Sequence, residues 1–213
     1  MKLISSLTSR QAARLLFGLL FITLLPTVAR ADDAGSWVSI QLNKGWEHGY
    51  AFGRAEHRSN NQFGSTEAMF LVAGGGYKIT PWLKADASYE YWNINPSKDI
   101  HKLVLCGTGT LARDGLAVAL REKLELAYNP LVGTVSPTLR SRLRAQYAVP
   151  GHKFTPYMMA EVFSWSGWIR SLNYVGAEIP VTPQHVIDIF YMYHLPAGSQ
   201  PVHVVGLGYV FNF

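Results

Sequence analysis

Two sets of residues in this chain have the types and spacing to do chemistry. The first is in GRAEHRSNN, where His57 and Ser59 stand two apart. In an extended chain both point to one side. The imidazole could then take the hydroxyl proton and make Ser59 a nucleophile, with an acid orienting the ring. Glu56 and Glu67 are the acids in the vicinity. The second set is ionic. PTLRSRLRAQY alternates Arg140, Arg142 and Arg144, and GLAVALREKLELAY alternates Arg121, Lys123 and Glu125. Such rows either pair with one another inside a fold or form a cationic eyelet that favours anions. The remaining candidates are quieter. His185, His194 and His203 have no metal-ligand spacing, and the GGG at 74–76 interrupts a strand pattern rather than opening a phosphate loop. Cys106 is the only cysteine, so no intramolecular disulfide is possible, and it reads as a small apolar residue. No cofactor and no metal are expected.

The elements that carry these residues are strands. Lys84, Asp86, Ser88 and Glu90 oppose Leu83, Ala85, Ala87, Tyr89 and Tyr91 in WLKADASYEYW, and the two ionic rows oppose Leu120, Leu124, Leu126, Leu139 and Leu143 in the same way. A period of two gives each segment one apolar and one charged face, whereas a helix would scatter the charges around its axis. About ten such segments of roughly ten residues follow one another, separated by turn residues, which is the signature of a membrane β-barrel. Aromatic residues near segment ends (Trp82, Trp92, Tyr128, Tyr147, Trp165, Trp168, Tyr191, Tyr193) suit interfacial girdles.

The N-terminus reads as a secretory signal, residues 1–31. Lys2, Arg10 and Arg14 precede a short apolar run broken by Pro26, and Ala29-Arg30-Ala31 supplies the small residues for cleavage after Ala31. Four of the chain's 19 basic residues (Lys2, Arg10, Arg14, Arg30) fall in this segment, leaving 15 against 14 acidic ones. The basic balance is thus mostly a targeting feature, and nucleic acid is not an expected partner.

The chain closes on VHVVGLGYVFNF. Val205, Leu207, Tyr209, Phe211 and Phe213 share one face, and Gly206, Gly208, Val210 and Asn212 the other. With Gly208, Phe211 and Phe213 so placed, this ending resembles the C-terminal assembly signal of bacterial outer-membrane proteins, although Leu207 stands where that signal is usually polar. The expected fold is therefore all-β: an antiparallel transmembrane β-barrel of about ten strands over 46–213, or twelve if two strands have been merged. Residues 32–45 (with GSWVSIQLN) are left as a cap or seam strand. Parity puts both termini on the periplasmic side, with turns at 79–82, 108–114, 149–153 and 181–184 and longer loops at 57–66, 93–99, 128–137 and 195–202 outside. A loop at 128–137 would set Glu125 near Arg140, Lys123 near Arg142 and Arg121 near Arg144, and the next turn would set Arg142 near Glu161.

Taken together, DDAGSWVSI, GGGYKITPWLKADASYEY, TLRSRLRAQY, FTPYMMAEVF and FYMYH followed by GLGYVFNF resemble the outer-membrane barrels grouped as domain of unknown function 2490. The resemblance implies a Gram-negative outer-membrane barrel and carries no reaction with it. Separately, Arg54-Ala55-x-His57-x-Ser59-Asn60 resembles the lipid A deacylase motif, but it lies in the second segment rather than near the C-terminus. Three functions follow: an envelope barrel with a charged lumen filled by side chains, a narrow anion-selective pore, or a lipid A or phospholipid acyl hydrolase using His57 and Ser59. The expected partners are outer-membrane lipids, lipopolysaccharide, and the secretion and barrel-assembly machinery.

Overall fold

A computed structural model describes residues 34–60, 62–94, 98–165, 167–198 and 200–213; the expected signal peptide lies outside them. Eleven strands form one closed barrel. They are β1 (Ala34–Gly45), β2 (Gly49–Asn60), β3 (Ser65–Lys78), β4 (Leu83–Ile94), β5 (Lys98–Arg113) and β6 (Leu116–Asn129), followed by β7 (Thr134–Tyr147), β8 (Thr155–Ser164), β9 (Trp168–Pro180), β10 (His185–Pro196) and β11 (Val202–Asn212).

Alternation decides which face turns inward. Lys84, Asp86, Ser88, Glu90 and Trp92 of β4 line the lumen, as do Arg121 and Lys123 of β6. Val38, Ile40 and Leu42 of β1, Met69 and Leu71 of β3, and Leu103 and Leu105 of β5 are exposed on the outer wall. A soluble barrel has the opposite polarity, so this wall suits hydrocarbon. Trp82, Tyr128 and Trp165 lie exposed at strand ends. Trp92 does not join that girdle: it occupies the inward phase of β4 and packs edge-on against Phe70, with centroids 4.2 Å apart.

The strand count differs from expectation, and of the two roles expected for the first segment it takes that of seam strand. Residues 34–45 are a full strand, antiparallel to β2 and parallel to β11. Ala34 stands opposite His203 and Asn43 opposite Asn212, and the Phe213 amide donates to the Asn43 carbonyl at 3.0 Å. The barrel therefore has eleven strands rather than ten or twelve. With an odd number, β1 and β11 run the same way, so Ala34 lies at the end opposite Phe213. The expectation that both termini share one side is corrected on this point. Loops are short at both ends, so their lengths do not distinguish the two sides.

The turns are set by local chemistry. Asp114 and Gly115 both have positive φ (51° and 84°), the signature of a two-residue type I′ hairpin, so the turn expected at 108–114 is shorter and β5 longer. Thr80 and Thr182 each precede a proline; their hydroxyls accept the Leu83 amide (2.9 Å) and the His185 amide (3.2 Å). Inside, four aromatic rings lie over glycines directly across the ladder: Tyr50 over Gly76, Phe52 over Gly74, Tyr157 over Gly176 and Phe190 over Gly206. A Cβ on Gly206 would come within 1.9 Å of the Phe190 ring, so the glycines are what admit the rings.

Candidate functional site: the charged lumen

The ionic rows of β6 and β7 meet inside the barrel with a register two residues away from that expected. The β6–β7 loop is only 130–133, so Lys123 faces Arg140, Arg121 faces Arg142, and Glu125 faces Thr138. A slip of two keeps parity, so the same side chains still point inward. Arg142 stands opposite Glu161.

Arg140 is the hub. Its two Nη atoms donate to Glu125 (2.5 Å) and Glu161 (2.8 Å). Glu125 also accepts from Lys102 Nζ at 2.8 Å and lies 3.3 Å from Lys123 Nζ. Glu161 also accepts from Arg142 Nε at 3.1 Å. Both glutamates are almost wholly buried. Lys123 reaches Glu90 at 2.7 Å, and Glu90 accepts the Trp92 indole N–H at 2.9 Å. Arg121 reaches Asp86 at 3.4 Å and Arg144 reaches Glu178 at 2.7 Å. Buried charges persist only when paired in this way.

Several members of the network escaped the sequence reading. Glu56 on β2 holds Arg54 (2.6 Å) and Arg58 (2.7 Å). The Arg58 guanidinium lies 3.5 Å from the Trp37 ring centroid and 4.2 Å from that of Phe70. Lys102 lies over Trp92 at 3.2 Å, while Arg140 and Arg170 both lie over Phe163, at 4.2 and 4.1 Å. Arg54, Glu56 and Arg58 show the same i, i+2, i+4 spacing as the β7 row, so that signal was present in the sequence. Lys102 and Arg170 have no charged residue two positions away on either side, and so carried none.

These contacts divide the lumen at mid-height. On the Phe213 side is a cavity of about 420 Å³, on the Ala34 side one of about 110 Å³, and Arg58, Trp92 and Arg140 border both. The larger cavity is lined by Arg54 and Arg58 of β2, Lys84 of β4, Arg121 and Lys123 of β6, and Arg140, Arg142 and Arg144 of β7; among the described residues, Asp86 and Glu90 are its only carboxylates.

The His-x-Ser pair is not assembled as a nucleophile and base. His57 faces outward, opposite Val38 and Met69, and its Nε2 lies 3.2 Å from Thr66 Oγ1. The ladder shifts between Arg58 and Ser59, and Ser59 Oγ instead bonds Ser36, at 3.1 Å to its amide and 2.8 Å to its hydroxyl. Glu56 is committed to its two arginines inside the barrel. No group of three or more potential metal ligands occurs among the described residues. At the C-terminus, Phe211 and Phe213 stack with centroids 5.6 Å apart, while Gly208 lies between Asp188 and Ser39 on the inner side.

The family described as Protein of unknown function (DUF2490) matches residues 34–201. The chain belongs to this family. The match runs from the first residue of β1 to the loop before β11, so the family pattern includes the seam strand. No curated protein matches. Among solved structures the chain is similar to one titled "NanC porin structure in rhombohedral crystal form", at 15% identity and a TM-score of 0.52, over 76% of this chain and 86% of that one. At that identity the likeness concerns the barrel fold alone.

Proposed function

We propose that this protein is a bacterial outer-membrane barrel with a non-enzymatic envelope role, its lumen held shut by its own side chains. The observation that carries the reading is the layer of Arg58, Trp92 and Arg140 between the two cavities, anchored by buried Glu56, Glu125 and Glu161. Small barrels fill their interiors, and a row of ion pairs turned away from lipid does so with most of its buried charges compensated. The apolar outer wall, the terminal Phe213 and the porin-like fold favour the outer membrane, with lipopolysaccharide and phospholipid around the wall and the secretion and barrel-assembly machinery as the route to it.

The test is conductance. Refolded protein in a planar bilayer should give no steady unit current, and after cell fractionation it should sit in the outer membrane as a heat-modifiable band. A second reading, a narrow anion-selective pore, is favoured by the excess of cations around the larger cavity. A steady, anion-preferring current from the unmodified protein would establish that pore and remove the closed-lumen reading. The hydrolase reading has no comparable support, since His57 and Ser59 each bond elsewhere.

A further inference from the structure

The larger cavity has features that lumen packing does not require. Eight cationic side chains border it and only two carboxylates do, as named above. Four of the neutralising acids (Glu56, Glu125, Glu161 and Glu178) bind their arginines from outside its lining. The cavity side of those guanidinium groups therefore carries the positive field. Lys84, near the Phe213 end, pairs with no carboxylate among the described residues; its ammonium lies 5.4 Å from the Tyr50 ring centroid. Thr108 Oγ1, Arg54 Nε, Arg140 Nε and Arg144 Nε, all from residues of this lining, are buried and have no hydrogen-bond partner among the described residues. A surface depression beneath turns 46–48 and 79–82 shares Lys84, Thr108 and Thr110 with the cavity and forms its mouth.

We propose that this vestibule is a binding site for a small, multiply charged oxyanion, a polycarboxylate or a phosphate ester of about monosaccharide size, entering from the Phe213 end. Guanidinium groups offer paired N–H donors that suit carboxylate and phosphate alike. Low-dielectric walls strengthen the attraction over that in water, and salt weakens it at the mouth. The inference rests on the closed-lumen reading only for the vestibule being a dead end; the site itself stands on its lining.

The experiment is calorimetric titration of the folded full-length mature chain in a zwitterionic detergent at low salt. Citrate and inorganic pyrophosphate are the probes, and glucose is the neutral control. Saturable one-to-one binding of either anion, with none of glucose, is expected. Comparing the two probes distinguishes the carboxylate source from the phosphate source. Lys84→Gln breaks no ion pair, so the barrel should fold with its heat-modifiable mobility intact, and affinity should fall at least tenfold. Thr108→Val should weaken binding severalfold, and Lys153→Gln, in the 148–154 turn, should leave it unchanged. No saturable binding of either anion, or equal losses in Lys84→Gln and Lys153→Gln, would overturn the proposal. Because the titration needs no membrane, an unexpected conductance would end the closed-lumen reading and leave this site standing.

Discussion

At the scale of single residues, Glu125 and Arg140 decide most. Glu125 faces three cations and Arg140 bridges two carboxylates, all deep in the barrel. Removing one member leaves the others charged and uncompensated. Glu125→Ala should therefore cost about 3–5 kcal/mol, read as a lowered urea midpoint of the folded barrel in micelles. Gly206 has no room for a side chain against Phe190. Gly206→Ala should cost about 1–3 kcal/mol, by overpacking, and pairing it with Phe190→Leu should recover part of the loss. Phe213 behaves differently. Its side chain is exposed on the outer wall while its amide ties the seam to Asn43. Phe213→Ser keeps that amide. If the terminal aromatic is an assembly signal, the variant should accumulate less in the outer membrane of cells yet refold from urea almost like the parent. Equal accumulation would remove the signal role.

At the scale of elements, the seam is the distinctive feature. Because β1 and β11 are parallel, Val38 stands beside Leu207 and Leu42 beside Phe211, all four turned outward. Neighbouring strands put Cα atoms within disulfide reach. In a Cys106→Ala background, Val38→Cys with Leu207→Cys should cross-link under mild oxidant, whereas Val38→Cys with Phe211→Cys should not. Cross-linking of the second pair instead would mean a different register at the closure. The outer wall makes its own demand. Leu105 lies mid-strand and exposed on β5, so Leu105→Arg should destabilise the barrel by about 2–4 kcal/mol in lipid, the cost of a cation near the bilayer midplane.

At the scale of the whole molecule, the closed-lumen proposal turns on the layer of side chains shared by the two cavities. Arg58→Ala with Trp92→Ala removes two of the three side chains that border both cavities. The double variant should pass current where the parent does not, and the cationic vestibule should give that current an anion preference. Silence from a folded double variant would mean that Arg140, Phe163 and Arg170 close the lumen by themselves.

The alternation of charged and apolar residues determined a good deal. It was enough to choose strands over helices, to put Arg121, Lys123, Arg140, Arg142 and Arg144 on one wall, and to anticipate Arg142 opposite Glu161. Period-two patterning survives a register slip of two, so these inferences were insensitive to the error in the β6–β7 loop. The Asp114-Gly115 hairpin was also legible and would have corrected the turn between β5 and β6. Three things waited for the tertiary structure. Alternation looks the same for parallel and antiparallel partners, so the role of β1 and the side on which Ala34 lies could not be read from it. A lone inward charge such as Lys102 or Arg170 has no periodic neighbours to declare it. That Arg58 of β2 and Arg140 of β7 border the same two cavities depends on closure of the whole sheet, which brings together residues about eighty positions apart in the chain.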